Sequence, residues 1–420
     1  MLIYRAQGSV SIWSITGWQF KFNIFYLCFR EYGYGIGYIA CSRRSTSNDQ
    51  LWWHGYFNPI YWIWFAHGYQ HRAQPYEDNP LKSTLKIVIF GLLLSASVTV
   101  LSDYSKHPEA SDFISTMVNK HDFERSQIEM WLASATHQKS IVKAMSRPAE
   151  KVKPWYEYRK HFISDLRISR GVQFWQKHHE TLERTEEEFG VDPAIIVSII
   201  GVETNYGRNV GSYRVIDALS TLAFDYYTYT EKRKSRKIFF TTQLEHLLLL
   251  AREQGKDPLT LKGSYAGAMG WGQFMPNSYR NYAVDYDGDE FADIWANPID
   301  AIGSVANYFK KHGWKSGLPV ATRTHVKDIP DSTTFNKMKR PKTTITELIA
   351  QGYTPTDQVA KDLTAFPLRF EAKYGQEYWL GLHNFYVIGR YNPRAKYAMA
   401  VYQLSQQIRT SHCKSAEDCT

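Results

Sequence analysis

Residues 193–202, Pro-Ala-Ile-Ile-Val-Ser-Ile-Ile-Gly-Val, form a nearly all-apolar run, and the residue that ends it is Glu203. A helix without a polar face has to be enclosed by the rest of the fold. Asp192 and Pro193 mark its start, because an aspartate accepts from free backbone N–H groups and proline suits the first turn. Gly207 is the expected stop. A carboxylate at the tail of such a helix is costly to ionise. Desolvation raises its pKa, and an acid kept protonated near neutral pH is able to act as a general acid. The plainer alternative is a partly exposed glutamate at a helix end.

The chain has 420 residues, 44% of them hydrophobic and 22% charged, which describes a globular protein and excludes a disordered one. Mixed three- and four-residue spacing of apolar positions begins near residue 110 and predicts a mainly α fold. Helices are expected at 171–189, 192–206, 241–253, 298–311 and 396–408, and a small β-bearing subdomain at 316–375. No internal repeat is present. Residues 1–80 lack either period although they hold six of the thirteen tryptophans, and we read them as a doubtful N-terminal extension. Lys82 and Lys86 then precede the apolar run 87–101, so 81–102 reads as a signal peptide, or as a signal anchor if residues 1–80 are translated. No Cys follows the run, so a lipid anchor is not expected. The folded region is placed at 110–408 and a tail at 409–420.

A net charge of +9 favours an acidic partner, and no nucleic-acid reader motif accompanies it. Aromatic residues make up 15% of the chain, with 29 tyrosines, a composition suited to stacking on flat, hydroxyl-rich ligands such as sugars. The cysteines fall in two pairs, Cys28 with Cys41 and Cys413 with Cys419. None has zinc-type spacing. The C-terminal pair either closes a small disulfide loop or remains as two thiols.

Three further stretches carry chemistry. Residues 263–276, Gly-Ser-Tyr-Ala-Gly-Ala-Met-Gly-Trp-Gly-Gln-Phe-Met-Pro, combine glycines that permit close backbone approach with Ser264 and Gln273 as hydrogen-bonding partners and Trp271 and Phe274 as flat faces. A phosphate-cradling loop is excluded, since neither glycine fingerprint is present. Asp285, Asp287, Asp289 and Asp293 stand at positions 1, 3, 5 and 9 of a calcium-type loop, with the Phe291 carbonyl at position 7. Glu290 occupies the position usually held by glycine, Ala296 replaces the closing acid, and Asp300 is the candidate substitute. An acidic surface turn is the plainer alternative. Arg390-Tyr391-Asn392-Pro393 precedes the last helix and offers Tyr391 and Asn392 to a ligand, or Asn392 as a simple cap.

In this order, Ile-Ile-Gly-Val-Glu203-Thr, the 261–279 block, Ile-Gly-Ser-Val-Ala-Asn-Tyr-Phe and Arg-Tyr-Asn-Pro, the motifs resemble the membrane-bound lytic murein transglycosylase B family from about Trp155 to Leu404. The resemblance implies a lysozyme-like helical catalytic core with added helical and small β subdomains, so that 110–408 becomes the catalytic region. It implies cleavage of the β-1,4 bond between N-acetylmuramic acid and N-acetylglucosamine in peptidoglycan. It makes Glu203 the single acid/base and Ser264, Gln273, Phe274, Tyr391, Asn392 and Tyr158 substrate contacts. Asp285, Asp287, Asp289, Phe291 and Asp300 would hold a structural calcium, with no cofactor needed for the chemistry. Ordinary glycosidases use two carboxylates. With one, the substrate's 2-acetamido group and 6-hydroxyl supply the rest, giving 1,6-anhydromuramic acid ends. A hydrolytic muramidase and a non-catalytic peptidoglycan-binding protein are the alternatives. The expected setting is the periplasm, as a monomer on glycan strands, with membrane association allowed and nucleic acid excluded.

Overall fold

The computed structural model describes residues 103–146, 153–226, 234–328 and 334–415, together with four short strands nearer the N-terminus. The chain divides into two units, Met1–Ala96 and Ser97–Thr420. In the first, β1 (Ile3–Ala6) pairs antiparallel with β2 (Ser9–Ile12), and β3 (Tyr26–Cys28) with β4 (Ile39–Cys41). The remainder of 1–80, the signal-like segment 81–102 and residues 416–420 lie outside the described residues. Cys413 is disulfide-bonded.

The second unit is mainly helical, as the periodicity predicts. It opens with α1 (Ser111–His121), α2 (Arg125–Ser134) and α3 (Lys139–Ser146). After a single turn, α4 (Trp155–Tyr158), come α5 (Asp165–Lys177), α6 (His179–Phe189) and α7 (Pro193–Thr204). The one helix expected at 171–189 is therefore two. His178 leaves the helical region at φ −120° and ψ 25° and packs its ring 4.7 Å from that of Phe174.

Next is α8 (Val215–Ser220), which runs into a π-helical stretch at Thr221–Tyr226, and then α9 (Lys234–Glu253), α10 (Pro276–Tyr282) and α11 (Pro298–Lys311). Between them β5 (Tyr213–Arg214) pairs with β6 (Lys262–Gly263). The β-bearing subdomain comprises β7 (Ala321–Val326), β8 (Thr343–Thr344), α12 (Ile345–Ala350), β9 (Tyr353–Pro355), β10 (Thr364–Glu371) and β11 (Gln376–Gly381). Its five strands are antiparallel in the order β8-β10-β11-β7-β9, with Leu368 opposite Trp379 and Leu380 opposite Thr322. The chain closes with α13 (His383–Tyr391) and α14 (Ala395–Ser415).

Three apolar cores follow from this order. One joins Phe113, Ile128 and Leu132 to Leu219, Leu222, Phe240 and Leu244. A second surrounds α7 with α5, α6, α11, α13, α14 and the Leu368–Phe370 side of the sheet. A third places Ile345 and Leu348 of α12 against Tyr353 and Leu380.

Every residue of α7 from Pro193 to Val202 is buried. The Asp192 carboxylate accepts from the Ala194 N–H at 2.9 Å and caps the helix as expected. The stop comes earlier than Gly207. Asn205 takes the left-handed conformation at φ 52°, which asparagine tolerates, and Gly207 follows at φ 76°. Two glycines fix what comes next. A Cβ on Gly201 would lie 2.6 Å from the Tyr206 hydroxyl, and one on Gly207 would lie 2.4 Å from the Trp271 ring. Tyr206 folds back over α7 and donates to the Arg167 carbonyl at 2.9 Å. Gly201→Ala is expected to displace this ring and lower stability by about 1–3 kcal/mol, the usual cost of overpacking. Chemical unfolding measures the loss, and an unchanged midpoint would contradict the packing described.

Candidate active site

Glu203 occupies the last turn of α7 and is half-buried, while its neighbour Thr204 is fully buried. Burial raises the Glu203 pKa to about 7, against the opposing effect of a hydroxyl that donates to it. That hydroxyl belongs to Tyr397 of α14 and lies 2.6 Å from Oε1. Tyr397 is itself 4% exposed, and burial beside Glu203 holds its own pKa well above the usual phenol range. Near neutrality Glu203 is thus divided between its protonated and ionised forms. No other carboxylate among the described residues hydrogen-bonds to it or shifts its ionisation. With Oε1 engaged by Tyr397, a proton on the acid resides on Oε2.

Further tyrosines line this acid. Tyr391, at the end of α13, has its pKa raised first by burial and next by the charge of Glu203, and its hydroxyl donates to the Gly272 carbonyl at 2.6 Å. Its ring lies 4.7 Å from that of Tyr308 and 6.0 Å from that of Phe274. Tyr158 of α4 is half-buried against Phe162, with ring centres 5.2 Å apart. Burial raises its pKa, Arg394 opposes the rise, and the charge of Glu203 adds to it. Glu203 therefore sits among phenol rings from α4, α13 and α14.

The glycine-rich loop closes another side. Thr204 donates its hydroxyl to the Trp271 carbonyl at 2.9 Å, which ties the end of α7 to this loop. Trp271 donates its backbone N–H to Ile294 and its indole N–H to Trp295, both at 2.9 Å. Gln273 adopts φ 51° and donates its amide to the Val210 and Gly270 carbonyls at 3.2 and 3.0 Å.

Three of the expected ligand contacts also make contacts within the protein. Phe274 is 2% exposed and packs beside Tyr308 and Tyr391, so its ring supports the loop from within and presents no flat face to solvent. The Ser264 hydroxyl accepts from Ala266 and Ala268 at 3.4 and 3.1 Å and closes its own turn. Asn392 is half-buried just beyond α13, and its carbonyl accepts from Arg394 at 2.7 Å. Neither Ser264 nor Asn392 hydrogen-bonds to Glu203 or to the tyrosines around it. Tyr397 was missed, because in the sequence it reads as one apolar position of the last helix, 194 residues from its partner.

The acidic loop is built as the spacing suggests. One carboxylate oxygen from each of Asp285, Asp287, Asp289 and Asp300 lies within 4.8 Å of the others. Asp285 accepts from the Gly288 and Glu290 N–H groups, both at 2.7 Å, and buried Asp300 accepts from Tyr286 and Asp293, also at 2.7 Å. Glu290, at the position usually held by glycine, adopts the left-handed conformation at φ 73°. The Phe291 carbonyl accepts from Asp293 at 2.8 Å. Asp293 turns to cap Trp295 and Ala296 and stays out of the cluster. Burial raises the Asp300 pKa, and no cationic side chain pairs with it among the described residues. Hard carboxylate oxygens converging around a buried, uncompensated acid fit a calcium ion.

Residues 105–406 match the family described as "Transglycosylase SLT domain". The chain is 43% identical over 332 residues to the membrane-bound lytic murein transglycosylase B of Escherichia coli (strain K12), a match covering 76% of this chain and 88% of that protein. Its fold is similar to the X-ray structure of the catenated lytic transglycosylase SltB1 from Pseudomonas aeruginosa, with a TM-score of 0.69, 51% identity and coverage of 74% of this chain and 100% of that one. It is also similar to the Escherichia coli lytic transglycosylase Slt35 in complex with calcium, with a TM-score of 0.66, 43% identity and coverage of 74% and 95%. This chain, with its mainly α fold, belongs to the transglycosylase SLT family.

Proposed function

We propose that this enzyme cleaves the β-1,4 bond between N-acetylmuramic acid and N-acetylglucosamine in peptidoglycan and leaves 1,6-anhydromuramic acid ends, with Glu203 as its only acid and base. The observation that carries the reading is one half-buried carboxylate, its pKa raised to about 7 by burial against the opposing hydrogen bond from Tyr397, with no partner acid beside it among the described residues. Protonated Glu203 gives its proton to the glycosidic oxygen, and the C1–O bond breaks as the N-acetylglucosamine leaves. The 2-acetamido oxygen of the substrate shares the positive charge at C1. The Glu203 carboxylate, stabilised by the Tyr397 hydroxyl, then takes the proton from the muramic 6-hydroxyl, and that oxygen closes onto C1. No water enters, and the acid returns to its starting state. Tyr158, Gln273, Tyr391 and Asn392 are proposed to hold the sugars, with Ser264 and Phe274 shaping the loop that does so.

We infer that the glycan strands are met in the periplasm, where segment 81–102 would direct the chain or hold it at the inner membrane. No helix among the described residues is long and apolar enough to cross a membrane. We expect a monomer. Asp285, Asp287, Asp289 and Asp300, with the Phe291 carbonyl, would hold a calcium whose contribution is structural, since it would neutralise the buried charge of Asp300.

Glu203→Gln should lower activity on purified sacculi by at least about 100-fold, the scale of a lost general acid. Mass analysis of the wild-type products decides between transglycosylase and hydrolase. Fragments bearing reducing ends in place of anhydro ends would refute the transglycosylase reading.

The raised pKa sets a pH window. Cleavage of the free enzyme's substrate needs the protonated acid, so kcat/KM should fall as pH rises through about 7. Tyr397→Phe removes a hydroxyl that favours the ionised form, so this limb should move to higher pH. A limb that stays or moves down would disprove the Tyr397 role. The stability sign is the reverse of a salt-bridged acid. A carboxylate whose folded pKa lies above its unfolded value costs stability as pH rises between the two. Glu203→Gln should therefore melt higher than wild type at pH 8, with the gap closing towards pH 4.

Calcium at 100 times its Kd should stabilise the protein by about 3 kcal/mol. Asp300→Asn should abolish that shift in a thermal melt, whereas an unaltered shift would place the ion elsewhere.

A further inference from the structure

A cavity of about 470 Å³ lies between α4 with its following turn and the β10–β11 hairpin. It is lined by Tyr156, Arg159, Lys160, Lys373, Tyr374 and Glu377. Its size is that of a small-ligand pocket. Lys160 and Lys373 are exposed, and Tyr374 is 83% exposed at the hairpin tip. An aromatic ring left this bare on a tight turn contributes little to folding. None of Arg159, Lys160 and Lys373 pairs with a carboxylate among the described residues. Of the carboxylates nearby, Glu377 is already engaged. Glu377 pairs with Arg323 at 3.7 Å and accepts from the Trp379 indole at 3.3 Å. Glu157 and exposed Glu371 are further acids near the Tyr156 hydroxyl and raise its pKa. Lys373 stands over the Tyr374 ring, 5.1 Å from its centre, and the pocket thus offers Arg159, Lys160 and this cation–ring pair to a ligand.

Its position relates it to the acid. Tyr156 and Tyr158 are two residues apart on one helical turn, so they point to nearly opposite sides of it. Tyr158 senses the charge of Glu203, while Tyr156 lines the pocket. The pocket and the Glu203 site thus flank this one turn.

We propose that this pocket binds the carboxylates of the peptides that branch from the muramic acid residues of a strand seated at Glu203. The proposal rests on the peptidoglycan reading. A concave pocket suits a peptide end better than a planar lipid surface, and charged hydrogen bonds from arginine and lysine suit carboxylates better than neutral sugars.

The test uses the full chain carrying Glu203→Gln, so that binding is read without turnover. Its affinity is compared for glycan strands that retain their peptides and for the same strands stripped of them. The parent should bind the peptide-bearing strands roughly tenfold more tightly, equivalent to a few charged contacts. The triple change Arg159→Gln, Lys160→Gln, Lys373→Gln should remove that preference and leave binding to stripped strands unchanged. Tyr374→Ala, at a site too exposed to affect folding, should weaken the preference independently. Equal binding of both strands by the parent, or a preference that survives the triple change, would overturn the proposal. It would also fall if the triple change instead abolished binding to vesicles containing phosphatidylglycerol. Failure of the underlying reading would show separately, as absence of anhydro products from the wild-type enzyme.

Discussion

Enclosure of α7 is the constraint on which the rest of this structure depends. A helix without a polar face is stable only when covered all round, and α5, α6, α11, α13 and α14 supply that cover. The same enclosure ends in a carboxylate. Water withdrawn from the ten buried residues of α7 is also withdrawn from Glu203, and the cost of ionising it rises. Stability of the core and reactivity of the acid therefore have one physical origin.

Trp271 links that acid to its surroundings. Its carbonyl holds the Thr204 hydroxyl beside Glu203, its N–H groups hold residues 294 and 295, and Asp293 is held in turn by buried Asp300. The acidic loop is thus joined to the end of α7 by a short run of hydrogen bonds. Gly207 is required where the Trp271 ring passes it. This gives the proposed calcium site a physical route to the placement of the glycine-rich loop, independent of any contact with substrate.

Much of this was visible in the chain itself. Asp192 and Pro193 mark the start of α7, and α11 spans the residues its apolar spacing marks, because local caps and periodicity act within a few residues. The spacing of Asp285, Asp287 and Asp289 likewise survives folding, since a tight loop keeps neighbours together. Where long-range packing intervenes, the local pattern fails. Phe274 turns inward against Tyr308 and Tyr391 although its neighbours belong to a ligand-like loop.

What the sequence alone determined is the helical class, the lone acid on an apolar helix and the family to which its motifs point. These rest on patterns that short-range physics enforces. Only the tertiary structure decided which groups surround the acid. It brought Tyr397 from the last helix to 2.6 Å from Glu203, placed Tyr158 and Tyr391 beside it and turned Ser264 back on its own loop. Those choices depend on how helices far apart in the chain pack around one buried core, and no local signal specifies that.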